Sequence, residues 1–415
     1  MKKVVITCMV GNALEWYDFI LYAQFAYILS QKFFPDSSIS EILTFAIFAA
    51  GFIVRPLGGI IFGSIGDRFG RRVSLAIGIL TMVIPTTVIG LLPSYDSIGL
   101  AAPITLAIAR LIQGFSLGGE FSGCIVYLTE CAPADKRGLV GSIVYVSQCL
   151  GMLLGLIIAY FLSFILSKED LWSFGWRLPF ISSFFVGMIG LYIRSSLIES
   201  PIYTEIRNRG LILQSPLQEI LSNSNYRKKI WLAAGLYINV TAPFYAATIF
   251  IQNYMLTLGY SKNECSIASE LTLIIMIITF PIAGYISDKI GRKPVILVSC
   301  IALIFFIYPI FLMINSNSYY LALLSQILFA VIVAFHMGAI PTILVELFPT
   351  NIRLTGVALS CNLSAAIFGG TVPMIGAVLY HITGDRLAIA YYLIFLAIFA
   401  LFVISFYKET YKKII

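Results

Sequence analysis

The chain has 415 residues, of which 59% are hydrophobic and only 11% are charged, and its formal net charge is +7. Soluble globular domains usually carry about 25% charged residues, so this composition excludes a water-soluble protein and predicts one embedded in a lipid bilayer.

Twelve long apolar runs follow one another along the chain. Most contain the roughly 20 residues that cross about 30 Å of hydrocarbon, and none alternates like a barrel strand, so they predict an all-α integral membrane protein with twelve transmembrane helices. The first run contains Glu15 and Asp18 and has no small-residue cleavage site, which indicates a retained helix and not a signal peptide. The runs cover residues 4–29, 42–62, 73–92, 99–129, 138–166, 172–194, 230–256, 265–287, 294–314, 319–346, 355–380 and 387–407.

The lysine and arginine residues are distributed unequally between alternate loops. With the N-terminus inside, 20 of the 27 lie on the cytoplasmic side, Lys412 and Lys413 among them, and only four lie outside. Because cytoplasmic loops carry an excess of these residues, we expect both termini to be cytoplasmic and the protein to be a multi-pass protein of a bacterial-type plasma membrane. The same asymmetry explains the net positive charge, so we expect no nucleic-acid partner.

Two sequence motifs occur twice each. The motif G-x-x-x-D-[RK]-x-G-R-[RK] runs from Gly63 to Arg72 and again from Gly284 to Lys293, while E-x-x-P-x-x-x-R runs from Glu130 to Arg137 and from Glu346 to Arg353. The offsets between the copies are similar, 221 and 216 residues. Two motifs repeated in the same order predict two six-helix halves in parallel orientation. We place the halves at 1–194 and 230–415, joined by a polar cytoplasmic linker at 195–229.

The stretch from Gly63 to Arg72 matches nearly all of the loop motif between helices two and three of the major facilitator superfamily, which the chain therefore resembles. The first run reads GNALEWYDFILY from Gly11 to Tyr22 and is similar to the metabolite:proton symporter family, which includes proline/betaine, 2-oxoglutarate, citrate and shikimate carriers. Further agreement with that family lies at 55–59, 113–120 and 175–180.

This resemblance covers essentially the whole chain and implies proton-coupled symport of a small solute by alternating access of the two halves. A proline- or glycine betaine-type solute is the first expectation, and a di- or tricarboxylate is the alternative. A non-transporting membrane sensor is the alternative from another class. The resemblance implies a functional monomer. About eight residues follow the last run, so we expect no cytoplasmic C-terminal domain. Osmosensing proline/betaine carriers of the family tend to have a longer tail, so the sequence leaves osmotic regulation open.

In the superfamily the repeated loops are regarded as a conformational latch. Acidic and basic side chains at these helix ends would form ion pairs and helix-terminus contacts when the cytoplasmic side is shut. Orientation by positive charge is the alternative; it explains the arginines but not Asp67 or the glycines. The predicted latch residues are Gly63, Asp67, Arg68, Gly70, Arg71, Arg72, Glu130, Arg137, Asp288, Gly291, Arg292, Glu346 and Arg353.

Charged residues inside the runs predict a pathway for substrate and protons. Glu15 and Asp18 are three residues apart and share a helix face near mid-membrane, where an acidic residue costs about 2.5–3.5 kcal/mol, so both must face the bundle interior. They would handle protons or substrate, or else form a structural ion pair. Arg110, also near mid-depth, is the candidate for binding a substrate carboxylate, unless it pairs permanently with Glu15 or Asp18. The predicted pathway residues are Glu15, Asp18, Tyr22, Arg110, Gln113, Glu120, Asn239 and Tyr245.

Alternatives stay open for several of these residues. Glu120 is either a proton carrier or a hydrogen-bonded carboxyl group that fixes packing of its glycine-rich helix face. Asn239 either lines the cavity together with Tyr245 or makes an interhelical hydrogen bond. His336 is more simply explained as a hydrogen-bonded core residue than as a proton relay.

Motifs of other functions are missing from the sequence. It contains no G-x-x-x-x-G-K-[ST] loop and no H-E-x-x-H, its two histidines lie far apart, and its seven cysteines form no C-x-x-C pair. We therefore expect a protein that is not an enzyme, with no cofactor, no metal site and no disulfide bond.

Overall fold

The computed structural model describes residues 1–35, 40–195 and 197–411, so Lys412 and Lys413 lie outside the described residues. Within the described chain, twelve helices are long and apolar enough to cross a membrane, which confirms the predicted number of spans. We label them α1 to α12. Their bounds are Lys2–Gln24, Ser40–Arg68, Arg71–Leu91, Ala101–Cys131, Arg137–Ile165, Arg177–Ser195, Ser224–Thr257, Lys262–Ile290, Arg292–Ile314, Tyr319–Leu347, Arg353–Thr383 and Ala388–Phe406.

The remaining helical segments are short. They are Ala26–Phe33, Tyr95–Ile98, Lys168–Asp170, Pro201–Asn208 and Pro216–Ser222. Three π-helical turns also occur, at Leu171–Gly175, Ala246–Phe250 and Ala365–Gly369. The second turn follows Pro243 within α7, and the third interrupts α11. Such turns change the direction of side chains and often mark functional positions in a helix.

The helices pack in the same pairs in both halves. In the first half α1 packs on α5, α2 on α4 and α3 on α6, and in the second half α7 packs on α11, α8 on α10 and α9 on α12. The halves contact each other where α2 packs on α11 and where α5 packs on α8. These two contacts are equivalent, because α8 and α11 occupy the same places in the second half as α2 and α5 in the first. This arrangement confirms the two six-helix halves predicted from the repeated motifs, while the exact boundaries at 194 and 229 stay a prediction.

The loops that carry the repeated motifs lie together at one end of the bundle. Arg71 at the start of α3 contacts Glu130 at the end of α4, and Glu130 also contacts Arg353 at the start of α11. Asp288 near the end of α8 accepts hydrogen bonds from the first turn of α5. We call this end of the bundle the motif end. Its location on the cytoplasmic side stays a prediction from the charge distribution.

Glycines allow close approach of helices within and between the halves. A Cβ atom on Gly114 of α4 would lie 2.6 Å from the Cα of Gly51 on α2, so the two glycines let these helices pack closely. At the motif end, a Cβ on Gly63 of α2 would lie 2.6 Å from the Cα of Thr355 on α11. The two halves therefore meet backbone to backbone at this crossing.

We expect Gly63→Ala to lower the thermal stability of the detergent-purified protein, because the added methyl group collides with backbone atoms that cannot move without separating α2 from α11. Overpacking of this kind typically costs about 1–3 kcal/mol. Gly190→Ala is the matched control, since the nearest atom to its Cβ would be the flexible end of Ile79, at 3.3 Å, and its next neighbours are side-chain ends at 3.8 Å. Equal melting temperatures for the two variants would contradict the proposed close contact.

Candidate functional site

Asp18 is buried inside the first half and is held by two hydroxyl groups. Its Oδ2 accepts a hydrogen bond from Thr86 Oγ1 of α3 at 2.6 Å, and its Oδ1 accepts one from Ser183 Oγ of α6 at 2.8 Å. Three helices therefore meet at one carboxyl group. Buried carboxylates are stable only where such donors replace water, so this geometry explains how α1 accommodates an acidic residue near its middle.

A chain of hydrogen bonds connects Asp18 to Arg110 of α4. Arg110 Nη1 donates to Gln113 Oε1 at 2.8 Å, and Gln113 Nε2 donates to Thr86 Oγ1 at 2.6 Å. The Arg110 guanidinium also lies over the ring of Tyr22, with 4.1 Å to the ring centroid. The structure thus brings together four of the predicted pathway residues, and Thr86 links them.

Glu15 lies beside this chain but takes no part in it. It lines a cavity of about 30 Å³ together with Asp18, Arg110 and Gln113. Glu15 is only 4% exposed, and neither carboxyl oxygen has a hydrogen-bond partner among the described residues. Since nearly all buried polar groups are hydrogen-bonded, a buried carboxyl group without a hydrogen bond is an exception at this cavity, and its role in the proton pathway stays a prediction.

Glu120 points away from that cavity. Both of its carboxyl oxygens accept hydrogen bonds from the guanidinium of Arg194 at the end of α6, one of them at 2.6 Å. Both side chains are almost completely buried. The structure therefore places Glu120 in a two-pronged ion pair between α4 and α6, which corresponds to the packing alternative; its role in the proton pathway stays a prediction.

The two pathway residues predicted on α7, Asn239 and Tyr245, lie in different environments. Tyr245 lines a second cavity, of about 20 Å³, which lies between the two halves. Asn239 instead donates through Nδ2 to Cys300 Sγ of α9 at 3.2 Å. His336 lies close to Ser299 Oγ, with 3.0 Å from its Nδ1. Both amide and imidazole thus make interhelical hydrogen bonds away from the cavity.

At the motif end, Glu130 connects the first half to the second. It accepts hydrogen bonds from Arg71 Nη2 at 3.0 Å and Nε at 3.2 Å, and from Arg353 Nη1 at 2.7 Å. Arg71 also pairs with Asp67 at 2.9 Å. Asp67 in turn accepts hydrogen bonds from the backbone N–H groups of Leu354 and Thr355, at 3.1 and 2.8 Å. A carboxylate at a helix N-terminus is favourable, so Asp67 fixes the first turn of α11 against the first half.

The second copy of the motif repeats this geometry on the opposite pair of helices. Arg292 pairs with Asp288 at 2.7 Å and with Glu346 at 3.5 Å. Asp288 accepts hydrogen bonds from the N–H groups of Gly138 and Leu139, both at 2.8 Å, at the N-terminus of α5. Asp67 and Asp288 therefore each cap the first turn of a helix that belongs to the other half.

The remaining predicted latch residues take separate positions. Arg68 donates to Gln214 Oε1 on the exposed surface at 3.2 Å, and the guanidinium of Arg72 donates to the carbonyl of Ser195. The carbonyl of Arg137 accepts a hydrogen bond from Thr342 Oγ1 of α10 at 3.0 Å.

Two glutamates that the sequence analysis did not single out complete the motif end. Glu199 after α6 accepts hydrogen bonds from the backbone N–H groups of Arg71 and Arg72, and Glu409 after α12 does the same for Arg292 and Lys293. Each thus caps the N-terminus of the helix that follows a repeated motif. A recurring E-[ST] pair, 199–200 and 409–410, was the available signal.

In both copies of the motif, the glycine directly before the helix that follows (α3 or α9) has a positive φ. Gly70 has a φ of 116° and Gly291 a φ of 103°, backbone conformations that residues with a side chain rarely adopt. A Cβ there would also collide with Glu199 or Glu409 respectively. These two glycines are therefore required by the backbone turn and by the capping glutamates.

Other kinds of site are not formed in the described part of the chain. The seven cysteines are free thiols, and no three His, Cys, Asp or Glu side chains among the described residues come together as metal ligands.

Comparison with known proteins identifies the family. The model of the Major Facilitator Superfamily matches residues 9–370. The glycine betaine/proline/ectoine/pipecolic acid transporter OusA of Dickeya dadantii (strain 3937) is 36% identical, over all of this chain and 84% of its own length. The proline/betaine transporter of Escherichia coli (strain K12) is 35% identical, over 99% of this chain and 84% of its own length. A putative proline/betaine transporter of Staphylococcus aureus (strain MSSA476) is 36% identical, over 98% and 88%.

Solved structures agree on the fold. The proton:xylose symporter XylE bound to 6-bromo-6-deoxy-D-glucose superposes with a TM-score of 0.82 at 21% identity, over 99% of this chain and 96% of that one. The inward-open conformation of XylE from E. coli gives 0.68, over 98% and 96%. The protein is a multi-pass protein of a bacterial-type inner membrane and not an enzyme. By the family match, the identity to relatives over nearly all of this chain and the twelve-helix architecture, the chain belongs to the major facilitator superfamily.

Proposed function

We propose that the protein is a secondary active transporter that couples inward proton movement to uptake of a small zwitterion of the proline or glycine betaine type. The observation that carries this proposal is the buried chain Asp18–Thr86–Gln113–Arg110 with the isolated carboxyl group of Glu15 beside it. Charged groups within a membrane protein are costly and serve ion or substrate pathways when they face the bundle interior.

The nature of the solute is supported by the relatives. The names of these relatives specify proline, betaine, ectoine and pipecolic acid, and each of these solutes combines a positively charged nitrogen (ammonium, quaternary ammonium or amidinium) with a single carboxylate. A di- or tricarboxylate remains the second candidate because Arg110 suits any carboxylate. The driving force is sufficient: one charge crossing 100 mV supplies about 2.3 kcal/mol, which corresponds to about fiftyfold accumulation.

In this proposal Glu15 binds the transported proton, and Asp18 and Arg110 form the charged environment that responds to it. The contacts at the motif end hold the cytoplasmic side shut, with Glu130, Asp67 and Asp288 as the groups that join the halves. Parting of the halves at that end would expose the cavities to the cytoplasm. The protein carries out the cycle as a monomer.

In proteoliposomes we expect an inward proton gradient to drive accumulation of labelled glycine betaine and proline, because the proton carries charge and free energy into the cycle. The measurement is initial uptake with and without the gradient, using 2-oxoglutarate and citrate as comparison solutes. An uncoupler should abolish the accumulation. Uptake that is equally fast and equally concentrative without a gradient would contradict proton coupling.

We expect Glu15→Gln to lose gradient-driven accumulation while retaining exchange of labelled for unlabelled solute, because the amide cannot take up a proton but keeps the size of the side chain. The separation of the two activities would be at least about tenfold. Glu205→Gln, on the exposed surface, is the matched control and should behave as the native chain. Normal accumulation by Glu15→Gln would remove Glu15 from the proton pathway.

For the motif end, we expect Glu130→Gln to favour separation of the halves, because two buried arginines then lose their carboxylate. Removing one partner of a buried ion pair costs about 3–5 kcal/mol. The readout is alkylation of a cysteine placed at Ser142, which is buried where α5 crosses α8. The rate should rise at least about tenfold over the same cysteine in the otherwise native chain, and Glu205→Gln should leave it unchanged. An unchanged rate in Glu130→Gln would show that this ion pair does not hold the halves together.

A further inference from the structure

The second cavity lies between the two halves and has a predominantly aromatic wall. Trp16 of α1, Tyr145 of α5, and Tyr237, Phe244 and Tyr245 of α7 all line it. Each of these side chains is at most 4% exposed. Phe244 lies edge-on to Trp16, with 6.0 Å between ring centroids. Rings from both halves thus surround one small space on the axis between them.

Three buried polar atoms at this cavity have no hydrogen-bond partner among the described residues. They are Nη1 of Arg55, Nε1 of Trp16 and Oε1 of Gln148. Because buried polar groups are nearly always paired, three exceptions around a single cavity indicate a ligand. Two of the atoms are donors and one is an acceptor, so a ligand with a carboxylate can pair with the donors, and only a ligand that also carries an N–H group can pair with all three.

Arg55 is held in place from the other half of the protein. Its Nε donates to Asn362 Oδ1 of α11 at 3.1 Å, and Asn362 is fixed in turn by hydrogen bonds to the carbonyls of Gly118 and Ala358. No carboxylate among the described residues lies within salt-bridge distance of Arg55. The buried guanidinium is therefore positioned without a salt bridge, and it interacts electrostatically with Glu15 and with Tyr245 of the same cavity.

We propose that this cavity binds the solute, with Arg55 and the indole N–H of Trp16 holding its carboxylate and the aromatic rings enclosing its ammonium group. This inference rests on the proposed function and specifies its substrate class. Guanidinium groups bind carboxylates through their forked donors, and aromatic faces attract cations, quaternary ammonium groups in particular. The described lining contains no Asp or Glu, so the rings hold the cation.

The same geometry discriminates between solutes. A single arginine at the cavity matches one carboxylate, which favours zwitterions over di- and tricarboxylates. Gln148 Oε1 can accept a hydrogen bond from the secondary ammonium of proline, whereas the trimethylammonium group of glycine betaine has no N–H to donate. Gln148 is therefore a specificity-determining residue that acts on proline and not on betaine.

The cavity is contracted in this conformation. Its volume of about 20 Å³ is room for about one water molecule, so a solute enters only when the wall rearranges. The π-helical turn at Ala246–Phe250 begins directly after Tyr245, and the turn at Ala365–Gly369 begins with another lining residue. Irregular helix segments of this kind border many transporter binding sites, and here they lie where the wall must open.

The test is solute exchange in proteoliposomes without a gradient, which reports binding independently of proton coupling. Half-saturation is measured for glycine betaine and for proline. We expect Arg55→Lys to raise both values about 10- to 100-fold, because a lysine loses the forked geometry. Gln148→Met should raise the value for proline about 5- to 10-fold and leave that for betaine within about twofold. Arg207→Lys and Trp231→Phe, both exposed, are the matched controls.

The outcomes separate the two proposals. Absence of exchange and uptake of every zwitterion by the native chain would overturn the proposed function, and this site assignment with it. If the native chain exchanges solute and Arg55→Lys leaves that exchange unchanged, the site assignment is overturned but the proposed function is not. The same conclusion follows if only Arg110→Lys weakens the exchange. If Gln148→Met raises the half-saturation values for proline and betaine equally, Gln148 has a structural role, which contradicts the assignment of Gln148 to solute discrimination. If Arg55→Lys does not fold, the variants Gln148→Met and Trp16→Phe test the site instead. Trp16→Phe is expected to raise the half-saturation value for both solutes.

Discussion

Charge that is buried without water must find its partners inside the protein, and at Glu130 those partners come from both halves. Its carboxylate binds Arg71 of the first half and Arg353 of the second, and all three side chains are almost completely buried. Loss of either partner would leave a buried charge unpaired, which is costly. The closed motif end follows from this constraint, and so does the alignment of the helices that carry the two cavities.

The charged residues and the aromatic residues of the proposed pathway line two different cavities. The first cavity belongs to the first half alone and contains the acidic residues with Arg110, whereas the second lies between the halves and is aromatic. Consecutive residues of α1 connect them, since Glu15 lines one cavity and Trp16 lines the other. A change of charge at Glu15 is therefore felt next to the proposed solute position. Movement of α1 would couple proton binding to solute binding without any long pathway between them.

Several features of the site could be predicted from the sequence because each depends on local pattern or on a repeat. Charged residues inside apolar runs must face the interior, which singled out Glu15, Asp18 and Arg110. The repeated motifs singled out the residues that meet at the motif end. In contrast, the ion pair of Glu120 with Arg194 was not predicted, since Arg194 is the last residue of an apolar run, where a basic residue usually marks the edge of the membrane. Thr86 and Ser183 also gave no signal, because hydroxyl residues are common in membrane helices and usually bond to their own backbone.

The sequence by itself determined that this is a twelve-helix membrane protein built from two similar halves, because hydrophobic length, charge asymmetry and repeated motifs are one-dimensional properties. Only the tertiary structure decided which charges are paired and which are not. Arg55 and Arg110 look alike as isolated arginines in apolar runs, yet Arg110 donates to Gln113 within the first half, whereas Arg55 donates to Asn362 of the second half and lines the aromatic cavity between the halves. Pairing is a property of positions in space, set by side chains up to 307 residues apart, such as Arg55 and Asn362, and no local pattern records it.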